Sequence, residues 1–296
     1  MSILLGLLLG TLRTATPLLF AGLGGMFSER AGVVNIALEG ILLVGAFSAA
    51  AAAIATGSLA AALLAAMLGG LLLAALHALV TLRFGVDQIV SGVALNMLAM
   101  GATEFLMWLL YGSGANSPRI ALAAPGGERG LGQLLVELPP LTWLALAAVP
   151  ACGWLLFATR FGLRLRAAGE HPEAVASLGL SVLRLRLAAV LLSGALPGLG
   201  GAFLSLGAGY FVKNMSAGRG YIALAALIFG RWRPGGLLAA CLLFGFAESL
   251  QGQLQLPWLP LRFVQMLPYL LTMVALAGAI GRSRPPAALG RPFRRD

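Results

Sequence analysis

The stretch "GILLVGAFSAAAAAIATGSLAAALLAAMLGGLLLAALHALVTL", residues 40–82, contains no Asp, Glu, Lys or Arg. As one helix it would extend roughly 64 Å at 1.5 Å per residue, about twice the hydrocarbon thickness of a bilayer. It is therefore two spans, and Gly57-Ser58 is the natural turn between them. The rest of the chain repeats the pattern. Hydrophobic residues make up 59% and charged residues 10%, with mean hydropathy +0.93, against about 25% charged in a soluble domain. Apolar runs fill the whole length and leave no room for a separate soluble domain. The expectation is an all-α polytopic membrane protein, one domain over residues 1–296, with about eight to ten transmembrane helices, some of them broken or re-entrant. Spans are expected at 3–27, 36–56, 59–82, 88–111, 141–159, 186–209, 219–231, 235–252 and 262–281. Arg13 and Pro17 offer a place for the first to split, near Thr14.

Charge sets the orientation. The net charge of +10 comes from arginines gathered at 160–186 (Arg160, Arg164, Arg166, Arg184, Arg186) and in the tail 282–296 (Arg282, Arg284, Arg291, Arg294, Arg295). The connection 111–140 offsets Arg119 and Arg129 with Glu128 and Glu137. By the positive-inside rule both basic segments are expected to be cytoplasmic, and nucleic acid is not the expected partner. Four expected spans separate loop from tail, an even number that agrees. Cys152 and Cys241 sit in apolar runs without CxxC spacing and read as core residues. The N-terminus has no basic n-region or A-x-A site before Arg13, so it reads as a membrane segment rather than a cleaved signal.

Two segments interrupt the apolar pattern. "MFSERAGVVNIALEG" (26–40) brings in Glu29, Arg30, Asn35 and Glu39, and "NMSAGRGYIALAALIFGRW" (214–232) places Arg219 and two glycines before a short apolar run. "GLGGMF" (22–27) precedes the first and "GLGGAF" (198–203) the second, while "NIALEG" (35–40) echoes "YIALAA" (221–226). Paired Gly-interrupted segments in two halves point to broken helices and an internal inverted repeat; Gly- and Ala-rich helices also resemble one another by chance. Gly32, Gly40, Gly218 and Gly220 are the expected helix-break glycines.

Polar residues at membrane depth are the candidates for function, since a charge at the bilayer centre costs about 2.5–3.5 kcal/mol on insertion scales. Asn35 and Glu39 share one helix face, and Glu39 either caps the helix that follows or lines a translocation pathway. Asp87 reads as a helix cap. Asn96 and Glu104 lie deeper in that helix with Met100 between them, and Asn96 fits inter-helix bonding as well as ligand contact. Glu248, alone within 234–261, needs a partner or water. The chain does not read as an enzyme. His77 and His171 lack HExxH spacing, no metal site is expected, and Lys213, the one lysine, follows Val212 where a Walker A site needs Gly. ATP-driven transport would need another polypeptide. In "RFGLRLRAAGEHPEAVASLGLSVLRLR" (160–186), Pro172 and Glu173 suit the first turn of a short helix and Gly179 its end, a segment that either a partner grips or lipid headgroups meet.

These residues resemble the permease subunits of bacterial ABC importers for nucleosides and simple sugars, the branch that includes the ribose-type permeases. "ERAGVVNIALEGILLVGAF", "DQIVSGVALNMLA", "RAAGEHPEAVASLGLSV" and "NMSAGRGYIALAALIFGRWRPGG" match that pattern in order, from about Pro17 to Met273. The ribose-type proteins have a fuller first span. The resemblance implies alternating access through two permease chains, driven by two cytoplasmic ATPases that hold the ATP and Mg; this chain itself carries no cofactor. It implies ATPase coupling through Arg166, Glu170, Pro172, Glu173, Ala174 and Gly179. It also implies an extracytoplasmic substrate-binding lipoprotein, a second and non-identical permease chain, and a place in the bacterial cytoplasmic membrane with the C-terminus inside. For an uncharged nucleoside, Phe27, Asn35 and Asn96 become pathway-lining candidates beside Glu39, Glu104 and Glu248. The competing reading is a stand-alone secondary transporter or channel; an intramembrane enzyme has no catalytic cluster to support it.

Overall fold

The computed structural model describes residues 3–121, 138–253 and 284–293; the expected span at 262–281 lies outside them. The described elements are α1 (Ile3–Arg30), α2 (Leu38–Thr56), α3 (Leu59–Ala78), α4 (Gln88–Tyr111), α5 (Pro140–Phe157), α6 (Arg160–Glu170), α7 (Pro172–Ser177), α8 (Val182–Ala208), α9 (Arg219–Phe229) and α10 (Pro234–Gln253). Seven of these helices are long and apolar enough to cross a membrane, so this is a multi-pass all-α membrane protein. Among the described residues the β pairing is one isolated bridge, Asn116 to Val212.

The 40–82 run divides as its composition requires. Gly57 takes a left-handed φ of 64° and ends α2, and the Ser58 hydroxyl accepts from the Ala61 N–H to start α3. A π-helical turn over Leu79–Arg83 extends α3. Asp87 caps α4 by accepting from the N–H groups of Ile89 and Val90.

Two expectations are corrected. The first segment is not split: α1 is one helix of 28 residues with Pro17 inside it. A membrane helix absorbs a proline because neighbouring helices can satisfy the freed backbone. The apolar run 219–231 is not a span. It forms the 11-residue α9, roughly 16 Å long and about half the hydrocarbon thickness. The parity count that treated it as a crossing therefore loses that support.

The longest helix after α1, α8, is the axle of the bundle and packs against α1, α2 and α3. Small residues let the backbones meet. A Cβ added at Gly70 of α3 would fall 2.3 Å from the Gly194 carbonyl, and one at Gly198 2.4 Å from that of Ala66. That is the small-xxx-small packing by which membrane helices associate where apolar burial alone gives no drive. Gly24 lies against Pro197 while Gly200 lies against Pro17, so α1 and α8, the two helices carrying the GLGG motifs, run antiparallel. Each is followed by a non-helical break and then a new helix, the arrangement expected of an inverted pair. The breaks differ in length, 31–37 against 209–218, as do the helices that follow.

Candidate functional site

The first break starts where Gly32 turns the chain at φ 88°. Its backbone is bonded group by group to other helices. The Ser28 hydroxyl donates to the Val33 carbonyl, Val34 N–H donates to Gln88 Oε1 at 2.7 Å, and His77 Nε2 meets the Val34 carbonyl at 3.0 Å. A carbonyl only accepts, so Nε2 carries the hydrogen and Nδ1 is left facing the Ser91 hydroxyl at 3.0 Å. Asn96 reaches across from α4. Its amide nitrogen donates to the Ile36 carbonyl and the Tyr221 hydroxyl, and its oxygen accepts from Gly40 N–H at 2.8 Å. Asn35, fully buried, accepts from Ala37 N–H and donates to Ser193 Oγ on α8. Non-helical backbone at membrane depth needs such partners.

Glu39 joins the two breaks. Gly218 N–H donates to its Oε1 at 2.8 Å and Gly220 N–H to its Oε2 at 2.7 Å. One carboxylate in the first turn of α2 thus caps the N-terminus of α9, where free N–H groups and the helix dipole favour negative charge. Its dominant contact is with α9, across 179 residues of sequence. Close approach demands glycine here: a Cβ on Gly220 would meet Glu39 N at 2.4 Å, and one on Gly40 would lie 2.9 Å from Asn96 Oδ1. This corrects the reading of the four glycines. Gly32 and Gly218 (φ 83°) are break residues; Gly40 and Gly220 are helical and serve close packing.

The second break, 209–218, is clasped from outside by residues 115–120. Lys213 N–H donates to the Ala115 carbonyl, Ser117 N–H to Phe211 and Ile120 N–H to Gly209. Two ion pairs flank it, Lys213–Glu104 at 2.6 Å and Arg219–Glu248 at 2.7 Å. The first is about half exposed, and so is Tyr221 in the first turn of α9.

Glu29 and Arg30 form a third junction. The Trp232 indole N–H donates to Glu29 Oε2, and Arg30 donates to the Trp232 carbonyl through Nε and Nη2 at 3.0 and 2.8 Å. Arg231 and Trp232 both take positive φ, 54° and 52°, so the α9–α10 turn is held in a backbone state that side chains disfavour. The end of α6 touches this junction. A Cβ on Gly169 would sit 2.1 Å from the Arg30 carbonyl, and Arg30 and Arg166 both lie over the Phe157 ring. The tail completes it: Ala288 N–H donates to the Gly169 carbonyl, Gly290 N–H to that of Gly32, and Ala287 N–H to Glu170 Oε2. The basic tail and the α6–α7 segment therefore share one end of the bundle.

Of the expected pathway residues, Asn35, Glu39 and Asn96 come together around the two breaks. Glu104 and Glu248 sit on the ion pairs of the second, and Phe27 is buried in the main hydrophobic core. Asn96, Met100 and Glu104 do not share one environment; Asn96 is buried while Met100 is exposed. In the coupling segment Pro172 opens α7 and Gly179 follows it at φ 76°. Glu173 and Ala174 are exposed, whereas Arg166 is turned inward on the Leu156 carbonyl. Sequence reading missed His77, Gln88, Ser193, Tyr221 and Trp232, whose roles depend on partners more than ten residues away, and Arg186, read as a surface charge but 1% exposed. It also missed Leu163 and Leu178, exposed on the basic segment; a leucine inside a charged loop was the available signal. Cys152 and Cys241 are free and buried. Among the described residues no group of His, Cys, Asp and Glu is placed to hold a metal.

Comparison with known proteins extends this picture. The family model described as branched-chain amino acid transport system / permease component matches residues 7–276. The chain is 42% identical to the guanosine ABC transporter permease protein NupQ of Bacillus subtilis, over 96% of this chain and 94% of that one. It is 39% identical to the nucleoside ABC transporter permease protein NupC of Lactococcus lactis, over 93% and 92%. With a second guanosine permease protein of the same Bacillus strain, NupP, it shares 30% identity over 79% of this chain and 71% of that one.

Proposed function

This chain belongs to the permease-component family of branched-chain amino acid transport systems and is a transmembrane permease subunit of an ABC importer, and we propose that it carries nucleosides or related small solutes by alternating access. It is not an enzyme; ATP is hydrolysed on separate ATPase subunits, and a substrate-binding protein completes the importer. ATP and Mg belong to the ATPase in this reading, and this chain supplies no cofactor. The cargo assignment rests on the guanosine and nucleoside permeases that it matches along nearly their whole length.

The pathway reading is carried by one observation: the Lys213–Glu104 pair stands half exposed, and Arg219–Glu248 partly exposed, on a bundle whose exposed large side chains are mostly apolar. Charge facing lipid is expensive, so a face bearing Glu104–Lys213, Arg219–Glu248 and Tyr221 belongs against protein or water. We assign it to the translocation pathway, shared with a second, non-identical permease chain. Resemblance to both NupQ and NupP, two different permease proteins of one strain, supports unlike partners. Asn35, Glu39 and Asn96 then hold the shape of the wall rather than touch the cargo.

The exposed Glu173, Ala174, Leu163 and Leu178 make the surface on which the ATPase docks. Movement of that surface reaches the breaks through Gly169, Arg30 and Trp232. The tail shares this end, which supports a cytoplasmic C-terminus. Guanosine uptake by proteoliposomes holding the assembled importer should vanish when the ATPase carries a Lys→Ala change in its Walker A site; undiminished uptake refutes the ABC mechanism. A Glu173→Arg variant should lose most coupled ATPase activity and co-purify poorly with the ATPase while keeping its unfolding midpoint, and normal coupling would remove α7 from the docking surface. A thiol placed at Glu173 that reacts with an impermeant reagent in intact cells would invert the whole topology.

A further inference from the structure

At the end of the bundle that carries α6, α7 and the tail lies a cavity of about 240 Å³. Four pieces of chain enclose it: the end of α3 with Thr81, Arg83 and Phe84, the start of α4 with Gln88, the start of α8 with Arg186, and Phe293 of the tail. Its ionisable lining consists of the two arginines, with no carboxylate among the described residues. Arg186 is almost fully buried. Its Nε donates to the Ala31 carbonyl at 3.1 Å and its Nη1 to the Arg291 carbonyl at 2.9 Å, but its Nη2 is buried without a hydrogen-bond partner among the described residues. Gly32 leaves room for that nitrogen, since a Cβ there would lie 2.9 Å from it. A buried guanidinium with a free donor is costly unless an acceptor completes it.

We propose that this cavity binds a phosphate group, held between the Arg83 and Arg186 guanidiniums. Guanidinium donors match phosphate oxygens in geometry as well as in charge, and no acid among the described residues lines the walls to repel an anion. The surroundings suit the headgroup level of a membrane. Phe84, Val86, Ile89 and Val90 are all exposed beside Arg83, so an aromatic and aliphatic collar adjoins the cationic mouth. The ligand is either the phosphodiester of an anionic lipid or a free phosphate. Either would bridge α3, α8 and the tail, and so fasten the tail over the 31–33 turn at the junction with α6. The site stands apart from the cargo assignment and does not depend on it.

The test uses the full-length permease with its partner subunits in nanodiscs. One set contains phosphatidylcholine alone and the other adds phosphatidylglycerol. Native mass spectrometry counts retained phosphatidylglycerol, and thermal unfolding in the phosphatidylcholine discs is followed with inorganic phosphate against chloride at equal ionic strength. Arg83→Gln removes an exposed arm of the site and leaves the buried contacts of Arg186 intact; Arg164→Gln, exposed on α6, is the control. Retention of phosphatidylglycerol that falls about tenfold in Arg83→Gln alone assigns a lipid. A phosphate-induced rise in midpoint that Arg83→Gln alone abolishes assigns a free phosphate. Equal behaviour of wild type and Arg83→Gln in both arms, including no binding in either, overturns the proposal.

Discussion

Between α1 and α2 the chain leaves helical geometry inside the protein, whereas between α8 and α9 it does so at the edge. Residues 31–37 are largely buried, and side chains of Ser28, His77, Gln88, Asn96 and Ser193 attend to them. Residues 209–218 are more open, with Tyr210, Lys213, Asn214 and Ala217 exposed while Phe211 and Ser216 are buried; they are held by a loop and by ion pairs, with Asn214 and Ala217 at positive φ and the Ser216 hydroxyl unpartnered among the described residues. Matching sequence motifs precede both. The difference predicts a fixed wall at the first break and a rearranging segment at the second, because hydrogen bonds at low dielectric are hard to exchange while a half-exposed ion pair such as Lys213–Glu104 is not. Glu39 ties α2 to the second break and the start of α9 through the N–H groups of Gly218 and Gly220, and Asn96 links the first break to Tyr221 of α9.

The most damaging way to break that contrast is Glu39→Ala. It strands the buried Gly220 N–H and the part-buried Gly218 N–H at the start of α9 and should cost about 2–4 kcal/mol of stability, with uptake lost. Chemical unfolding in detergent measures this, and a change under about 0.5 kcal/mol would mean that α9 does not depend on the carboxylate. Next in size is a paired comparison of two neighbouring glycines. Gly220→Ala drives a Cβ into the Glu39 backbone and should cost about 1–3 kcal/mol; Gly218→Ala meets nothing within 4 Å and carries only the left-handed strain of about 1 kcal/mol. Equal costs would deny the close approach. Smallest in stability is Lys213→Gln, which removes a half-exposed ion pair and should change unfolding by less than about 1 kcal/mol. Its effect should instead be on transport or on co-purification of the second permease chain. A large loss of stability there would make the second break as rigid as the first.

Much of this was legible from residue patterns because membrane physics constrains them so tightly. The Gly57-Ser58 turn, the Asp87 cap and the α7 helix starting at Pro172 follow from local chemistry, and all three stand where the pattern put them. The errors share one cause. The pattern of residues 219–231 is apolar enough for a span, but its length in helix is set by what holds its two ends, Glu39 at one and the Trp232 turn at the other. Glu39 and Asn96 were recognised as polar residues at depth, yet whether they face cargo or backbone depends on Gly218, Gly220 and Gly40, which local spacing does not link to them.

By itself the sequence determined that the chain crosses a membrane many times, where several of its helices turn, which segments are basic, and that its one lysine stands in no Walker A motif, since hydropathy, turn chemistry and charge act over a few residues. Only the tertiary structure decided that Glu39 caps a half-helix 179 positions away, that Glu29 and Arg30 brace the Trp232 turn, and that Arg186 is buried. Those outcomes depend on which backbone groups are left without partners once the helices pack, and that deficit exists only in the assembled bundle.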